Sequence, residues 1–369
     1  MAQKKKNKRR RRQFQQKVIL SVLLVIIIGL IGVLGYQMQK NEKKQTDGNA
    51  SASSSVSSSS LAGDSSEPIS DSSPEEEITP TPEPVQQISS DGLNSQHALL
   101  VRESDLAEMM NLGGDERIYP ASMTKIMTAL LTIENLPDLN ETITVPEDIF
   151  EELTAQDASV AGFNPYEQPT VRDLLYGVLL PSGADACETL ARAVGGSEEG
   201  FVAMMNQKAQ ELGCTSTSFT CVHGLYDYGN VSTAEDLAKI ASACYANETY
   251  MQVANTQSYT LPATNLHQNE RAITSTNLML NPEYAYYRDY IRGMKTGFTT
   301  LAGRCFVTFA SQNGRTYGLV ILGSNSQNIF REAAELFDWA FSNPDLQPKA
   351  AAPETKKHSL FSFWQNLLG

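Results

Sequence analysis

Three short motifs in the chain hold side chains that are suited to acyl transfer. In order, they are Ser122-Met123-Thr124-Lys125, Ser182-Gly183-Ala184 and Lys295-Thr296-Gly297. A serine hydroxyl becomes a strong nucleophile only when a neighbouring base removes its proton. The first motif offers both groups, and the other two offer further hydroxyls and an amine. Each motif alone is weak evidence, because such short patterns also arise by chance.

The first motif lies at the start of a predicted buried helix. Residues 120–134 carry apolar side chains at helical spacing. Residues three apart share one face of a helix, so the Lys125 amine can reach the Ser122 hydroxyl. Burial and the positive end of the helix dipole both lower the pKa of a lysine, which makes it a usable base. A capping serine followed by a surface lysine is the alternative, and the apolar helix argues against it.

The other two motifs supply groups that can contact a substrate. Ser182 lies in a loop between two predicted helices, where its hydroxyl can pass a proton to a leaving amine. A turn or capping serine is the alternative. The third motif lies on an apparent strand, residues 290–297. Gly297 lets a substrate backbone approach the strand closely, while Lys295 and Thr296 offer a cation and a hydroxyl to an anionic end. An exposed edge strand is the alternative here.

Helices and strands alternate around these motifs. We predict a buried strand at residues 98–101, a helix that Thr170 caps and that ends before Pro181, and a short helix at 185–194 closed by two glycines. Asn313-Gly314 joins two apolar segments, which is a strong hairpin signal.

The end of the predicted globular domain, residues 93–343, indicates the fold class. The two arms of the hairpin are almost continuously apolar, as is typical of central strands covered on both faces. An amphipathic helix follows at residues 328–341. Helices therefore interrupt antiparallel strands, and we predict an α+β fold in which helices flank an antiparallel sheet.

The N-terminus predicts a membrane anchor. Residues 1–17 contain nine basic and no acidic side chains, and residues 18–36 contain no charge. A helix of this length spans roughly 28 Å, close to the hydrocarbon thickness of a bilayer. The flanking positive charge predicts a cytoplasmic N-terminus and an extracytoplasmic main domain. A cleaved signal peptide is the alternative, but residues 35–40 lack the small-residue cleavage pattern.

Two segments of biased composition flank the predicted domain. Residues 37–92 are rich in serine, proline and acidic side chains, and we predict a disordered linker there because such a segment buries too little apolar surface to fold. A flexible chain of this length extends roughly 40 Å from end to end. The tail, residues 344–369, predicts either a short amphipathic helix at a membrane surface or a loosely ordered end.

Charge and side-chain chemistry exclude some functions. Beyond residue 17, 20 basic side chains stand against 42 acidic ones, a net charge of about −22, which disfavours nucleic-acid binding. The four histidines are scattered and show no zinc spacing, so we expect no metal. The odd number of cysteines leaves at least one outside an internal disulfide. Cys214 and Cys221 are close enough to bridge, and five buried free thiols are the equal alternative.

With these motifs, the domain closely resembles the serine-type D-alanyl-D-alanine carboxypeptidases, the low-molecular-weight penicillin-binding proteins. The likeness covers residues 98–341, about two-thirds of the chain, and its motif set is highly specific. Beyond the three motifs, it is carried by residues 120–131, 170–175, 201–206, 223–225, 232–234 and 293–299.

The resemblance implies a fold, an activity and its partners. The fold is that of β-lactamases and penicillin-binding proteins, with a mostly helical subdomain. The substrate is a peptidoglycan stem peptide, from which the terminal D-Ala is removed. Lys125 would deprotonate Ser122 for attack on the penultimate D-Ala, and the backbone N–H groups of Ser122 and Phe298 would form the oxyanion hole. β-Lactam antibiotics would acylate the same serine, and no metal or organic cofactor is implied.

The remaining roles concern the leaving group. Ser182 would help to protonate the departing D-Ala, whose carboxylate Lys295 and Thr296 would hold, and water would release the acyl-enzyme. The sequence departs from the family at Ala184, where asparagine is usual, so slower or altered turnover is expected. A second departure is Cys221-Val222, where Asn-Pro usually precedes His-Gly-Leu.

Three other functions compete with this interpretation. A DD-transpeptidase remains open, since an amine can replace water as the acceptor. A non-catalytic cell-wall-binding remnant is disfavoured by the intact motifs. A β-lactamase usually uses a glutamate after the second motif, and residues 214–228 contain none.

Overall fold

The structure, a computed structural model, describes residue 90 and residues 92–325, 328–344 and 346. The predicted basic tail, the membrane anchor, nearly all of the linker and most of the C-terminal tail lie outside these residues. Among the residues that are described, no helix combines the length and the apolar character that a bilayer crossing requires.

A five-stranded antiparallel sheet forms the centre of the described chain. The described residues form seven strands, of which five belong to this sheet. They are β1 (His97–Arg102), β2 (Glu108–Leu112), β3 (Ser258–Leu261), β4 (Arg271–Thr274), β5 (Ile291–Thr299), β6 (Gly303–Gln312) and β7 (Arg315–Ser324). The main sheet has the order β2-β1-β7-β6-β5, and β3 pairs with β4 in a separate hairpin. The last two strands, β6 and β7, therefore lie inside the sheet, and β5, which carries the third motif, lies at an edge.

Helices cover the sheet on both faces. They are α1 (Thr124–Asn135), α2 (Ile149–Ala155), α3 (Val171–Leu179), α4 (Ala184–Gly195), α5 (Glu198–Glu211), α6 (Ala234–Tyr245), α7 (Glu248–Ala254) and α8 (Ile329–Ser342). One buried cluster joins the sheet to α1 and the helices that follow it, and a second joins the opposite face to α8. This layering confirms the predicted α+β fold with an antiparallel sheet between helices.

The central strands alternate between these two clusters. In β1, Leu99 and Val101 belong to the first cluster, while Ala98 and Leu100 belong to the second. Successive side chains of a strand point to opposite faces, so a strand that is covered on both sides is apolar throughout. The same alternation holds in β6 and β7. It explains the continuous apolar arms of the predicted hairpin.

Local signals in the sequence explain where elements begin and turn. Thr170 and Asp173 form a capping box at the start of α3, in which the Thr170 hydroxyl accepts from the Asp173 amide at 3.1 Å. Asn313 and Gly314 have φ angles of 52° and 73° between β6 and β7. These left-handed angles suit a two-residue hairpin turn. The predicted cap and hairpin are both confirmed.

All five cysteines are buried free thiols. The bridge between Cys214 and Cys221 that the sequence allowed is therefore wrong. The Cys214 thiol instead donates to the carbonyl of Asp236 at 3.5 Å, and the Cys221 thiol to that of Leu225 at 3.7 Å. Each behaves as a small buried side chain with one weak hydrogen bond.

Candidate active site

Ser122 lies in a single 3₁₀ turn, Ala121–Met123, directly before α1. Ala121 has a φ of 49°, an unusual value for a residue with a side chain. The loop after Cys221 packs against this turn, and a Cβ added to Gly224 would lie only 1.8 Å from the Ala121 carbonyl oxygen. The position of Ser122 thus depends on a glycine about a hundred residues away in the chain.

Lys125 follows in the first turn of α1 and is 2% exposed. Its Nζ lies 3.2 Å from the Ser122 Oγ and donates to the carbonyl of His223 at 2.5 Å. Burial lowers the pKa of Lys125 below its ordinary value, because the charged ammonium loses its hydration. A neutral amine so close to a hydroxyl can accept its proton, which is the geometry that the spacing of the first motif predicted.

A cavity of about 500 Å³ opens beside Ser122. It brings together side chains from all three motifs, although these are far apart in the sequence. Its lining includes Ser122, Ser182, Thr296, Gly297 and Phe298. Among the predicted site residues, only Lys125 and Lys295 lie outside the lining, and both are buried.

Ser182 presents an unsatisfied hydroxyl to the cavity. Its Oγ is buried and has no hydrogen-bond partner among the described residues, and its φ of 68° lies in the left-handed region. A non-glycine residue is rarely held in this region unless the surrounding structure fixes it, and such positions cluster at functional sites. A substrate atom in the cavity would supply the missing partner.

Asp185 fixes the loop on the other side of Ser182. Its buried carboxylate accepts hydrogen bonds from the backbone amides of Ala161, Gly162 and Phe163 at 2.8 to 3.0 Å. Burial still raises its pKa, since desolvation outweighs these bonds. No pattern in the sequence pointed to Asp185. Its three partners lie more than 20 residues away, and only the folded chain brings them together.

The edge strand β5 forms another side of the cavity. A Cβ added to Gly297 would lie 3.0 Å from the Ser122 nitrogen, so the strand approaches the nucleophile because this residue has no side chain. The amide of Phe298 follows Gly297 in the chain. This close approach suits a pair of N–H donors around a reacting carbonyl, and an edge strand is able to pair with an extended peptide.

The Lys295 side chain is buried and lies outside the cavity lining. The side chain is 1% exposed, and its Nζ donates to the carbonyl of Thr296 at 2.7 Å. Burial, with a further contribution from the charge of Lys125, lowers the pKa of Lys295 well below its ordinary value. Thr296 does line the cavity, and its hydroxyl lies 2.5 Å from that of Thr276.

A buried group of titratable side chains supports the loop that holds Lys125. Ligand atoms of Glu188, Glu198 and His223 all lie within 4.8 Å of one another. Burial raises the pKa of Glu188 to about 8 and lowers that of His223 to about 3. The two carboxyl groups can therefore share a proton at neutral pH. Nothing in the sequence pointed to Glu188 as a member of this group.

Glu188, Glu198 and His223 are residue types that bind metal ions, but their hydrogen bonds favour a proton on His223 Nε2 over a metal ion at that atom. The amide of Leu225 donates to His223 Nδ1 at 3.2 Å, which leaves the ring proton on Nε2. That atom lies 3.5 Å from a Glu188 oxygen. A metal ion at Nε2 would have to displace this proton and reverse the tautomer.

Comparison with known proteins decides the family. The profile of the peptidase family S11, D-alanyl-D-alanine carboxypeptidase, matches residues 84–326. The chain belongs to this family. The D-alanyl-D-alanine carboxypeptidase DacC of Escherichia coli is 35% identical over 236 residues, which cover 62% of this chain and 56% of the relative. DacB2 of Mycobacterium tuberculosis is 36% identical over 262 residues, 68% of this chain and 83% of the relative.

Solved structures of D-alanyl-D-alanine peptidases have the same fold. The crystal structure of the Streptomyces K15 DD-transpeptidase has a TM-score of 0.63 at 28% identity, and the match covers 69% of this chain and all of the other. The chain spans only a little over half the length of the E. coli relative. The β-lactamase-like fold that the resemblance implied is therefore confirmed for the matched region.

Proposed function

We propose that the protein is a serine D-Ala-D-Ala carboxypeptidase that removes the terminal D-Ala from peptidoglycan stem peptides. One observation carries the proposal: the Ser122 Oγ lies 3.2 Å from the amine of Lys125, and burial lowers the pKa of that amine. Membership of the carboxypeptidase family supports the choice of substrate.

The proposed reaction has two stages. Lys125 takes the hydroxyl proton as Ser122 Oγ bonds to the carbonyl carbon of the penultimate D-Ala. The tetrahedral intermediate collapses, the amide bond breaks, and the leaving amine receives, through Ser182, the proton that Lys125 had taken. Water then attacks the resulting ester, gives its proton to Lys125 and releases the shortened peptide. Lys125 passes this proton to the Ser122 oxygen as the ester bond breaks, which restores both side chains.

Two measurements on the full-length chain in detergent test this function. The first is release of D-alanine from a peptide that ends in Lys-D-Ala-D-Ala, and the second is covalent labelling by a fluorescent penicillin. We expect both from the native protein and neither from Ser122→Ala. If a native protein that binds penicillin releases no D-alanine, the carboxypeptidase proposal is wrong.

A DD-transpeptidase is the second candidate. The similarity to the Streptomyces K15 DD-transpeptidase favours it, as does the absence of the usual asparagine side chain at Ala184. The same peptide assay with added glycine or a D-amino acid separates the two functions. A transpeptidase would convert the acyl-enzyme to the aminolysed product in preference to the hydrolysed one. A non-catalytic remnant would show no penicillin-labelled serine at all.

We also propose that residues 18–36 anchor the protein in the cell membrane, with residues 1–17 in the cytoplasm and the catalytic domain outside. The uncharged segment and the basic residues before it support this orientation. Protease added to intact spheroplasts tests it. The domain should be digested while an epitope tag at residue 1 is protected, and the reverse pattern would contradict the proposal.

A further inference from the structure

The segment Val222-His223 binds α1 through two consecutive backbone carbonyls. The hydroxyl of Thr128 donates to the carbonyl of Val222 at 2.6 Å, and the Nζ of Lys125 donates to that of His223 at 2.5 Å. Thr128 and Lys125 are both buried, and residues three apart share one face of a helix. The direction of the amine beside Ser122 therefore depends on where these two carbonyls lie.

The other side of this segment is bonded to two buried carboxyl groups. The backbone N–H of Val222 donates to the carboxylate of Glu198. The Nε2 of His223 lies 3.5 Å from a Glu188 oxygen. A hydrogen bond between the two carboxyl groups completes the network. The segment is thus held between α1 on one side and acidic side chains of α4 and α5 on the other.

One of these bonds depends on a residue at which the chain departs from its family. Asn-Pro is usual where this chain has Cys221-Val222. A proline has no backbone N–H, so it could not donate to Glu198 from this position. The departure at Val222 therefore adds a hydrogen bond that ties the segment to the acid pair.

The acid pair needs a proton to remain together. Glu188 is 4% exposed, and burial, with a further contribution from the charge of Glu198, raises its pKa to about 8. At neutral pH Glu188 therefore stays protonated and donates to Glu198, because two charged carboxylates in contact would repel each other. The other titratable groups that face the pair are Glu152 of α2, Arg192 of α4, Glu199 of α5, and Cys221 and His223 of the loop.

These neighbours offer little compensation for a second negative charge. Burial holds the pKa of His223 at about 3, so the ring is neutral at neutral pH. Arg192 is the cation of the group, and its Nε lies 3.7 Å from a Glu188 oxygen. The same guanidinium is also bonded to Asp148 at 2.7 Å. One shared cation thus faces the pair, and the proton on Glu188 is what prevents repulsion.

We propose that protonated Glu188 is a positioning residue for the base Lys125. With Glu198, it fixes the segment Val222-His223, whose carbonyls set the direction of the amine. Loss of the proton to solvent places two negative charges together, so the carboxyl groups separate, the segment shifts and acylation slows. This inference rests on the first stage of the proposed reaction, the attack by Ser122, and adds a second titrating group to it.

The test compares Glu188→Gln and Glu188→Met with the native full-length protein in detergent. Glutamine has the shape of a protonated glutamate: its amide can donate to Glu198 and accept from His223, but it cannot ionise. Methionine has a similar length and no N–H or O–H donor. The matched control is Glu199→Gln, since Glu199 is the neighbouring, exposed glutamate of α5. The rate of acylation by a fluorescent penicillin is measured for each protein across a pH series.

The native rate should fall about tenfold as the pH rises through about 8, where Glu188 loses its proton. Glu188→Gln should keep the native rate at neutral pH and lose this alkaline fall. Glu188→Met should be about tenfold slower at neutral pH, also without the fall. Glu199→Gln should match the native protein throughout. A native rate that does not fall above this pH, a Gln variant that keeps the fall, or a Met variant with the native profile would overturn the assignment.

The outcomes also separate this inference from a purely structural role and from the proposed function. Thermal denaturation on both sides of the alkaline fall checks that each protein is folded there, and if Glu188→Met does not fold, the native and Gln profiles still decide. If the native protein is acylated but releases no D-alanine, the carboxypeptidase is excluded and the acylation profiles still test Glu188. If it is neither active nor acylated, both proposals fall.

Discussion

The Nζ of Lys125 and the backbone carbonyl oxygen of His223 are only 2.5 Å apart. One N–H of the amine is thereby committed to the loop, and its lone pair can turn to the Ser122 hydroxyl 3.2 Å away. The base is thus oriented by a backbone atom, which no side-chain substitution removes. The loop that carries this atom is therefore as important to the site as the motif residues.

The first prediction concerns the pH dependence of acylation. Only neutral Lys125 can accept the Ser122 proton, and burial lowers the pKa of Lys125. The rate of penicillin acylation should therefore fall as the pH falls through this lowered pKa. Lys125→Arg, which stays charged, should reduce the rate about 10²- to 10⁴-fold at every pH. Timed labelling across a pH series measures both effects.

Lys208→Arg is the control for that series, because Lys208 pairs with Glu134 on the surface at 2.7 Å. It should reproduce the native pH profile. A Lys125→Arg protein that is acylated at the native rate would show that another group deprotonates the serine.

The second prediction concerns Gly224. An alanine here would place its Cβ 1.8 Å from the Ala121 oxygen, at a φ of 78°. Gly224→Ala must therefore displace the turn that holds Ser122, and penicillin labelling should fall at least tenfold. Gly213→Ala is the matched control, since Gly213 has a φ of 73° with nothing within 4 Å of an added Cβ. Both substitutions carry the same backbone strain, so equal labelling of the two variants would contradict the contact.

The third prediction concerns the stability of the buried acid pair. Burial raises the pKa of Glu188 from 4.5 to about 8. Between these pH values the folded protein holds a proton that the unfolded chain has lost, so the free energy of unfolding falls as the pH rises. Glu188→Gln cannot lose that proton, and its stability should depend less on pH between about 6.5 and about 8, where His223 is neutral in both states.

Urea denaturation at several pH values from about 6.5 to about 8 measures this difference. Glu141→Gln is the control, because Glu141 is exposed, and it should keep the native slope. The depressed pKa of His223, about 3, acts on the acid side. The unfolded histidine gains a proton near 6.5 that the folded one does not bind, so between about 4.5 and about 6.5 its effect on stability opposes that of Glu188, and stability falls with pH only below about 4.5.

The fourth prediction concerns Ala184, which is 1% exposed at the start of α4. Ala184→Asn restores the amide that is usual in the family and adds a hydrogen-bonding group beside the acyl-enzyme. We expect D-alanine release to rise about tenfold, the value of one good hydrogen bond. Ala184→Leu has the same number and branching of side-chain heavy atoms as asparagine but no amide, and it should not raise the rate. An equal gain in both variants would point to packing instead.

The parts of this site that could be predicted from the sequence are those set by local geometry. Ser122 and Lys125 are three residues apart at the start of one helix, so their proximity follows from helical spacing alone. The Asn313-Gly314 turn likewise follows from the φ angles that these two residues tolerate. Both features would hold in many different folds.

The parts that could not be predicted depend on contacts between distant segments. The burial of Lys295 depends on which face of β5 turns inward, and a motif does not specify that. Glu188 meets His223 across 35 positions of chain, and each alone resembles an ordinary helix or loop residue.

Because all five thiols are buried, their reactivity reports on the unfolding of the domain. Burial raises the pKa of Cys187 and Cys214 to about 12 and that of Cys305 to about 11, so the native chain offers almost no thiolate to an alkylating reagent. Unfolding releases all five at their ordinary reactivity. Mass spectrometry after a brief alkylation would therefore count closed and opened molecules directly, even in crude membranes, and would identify which layer of the domain loosens first.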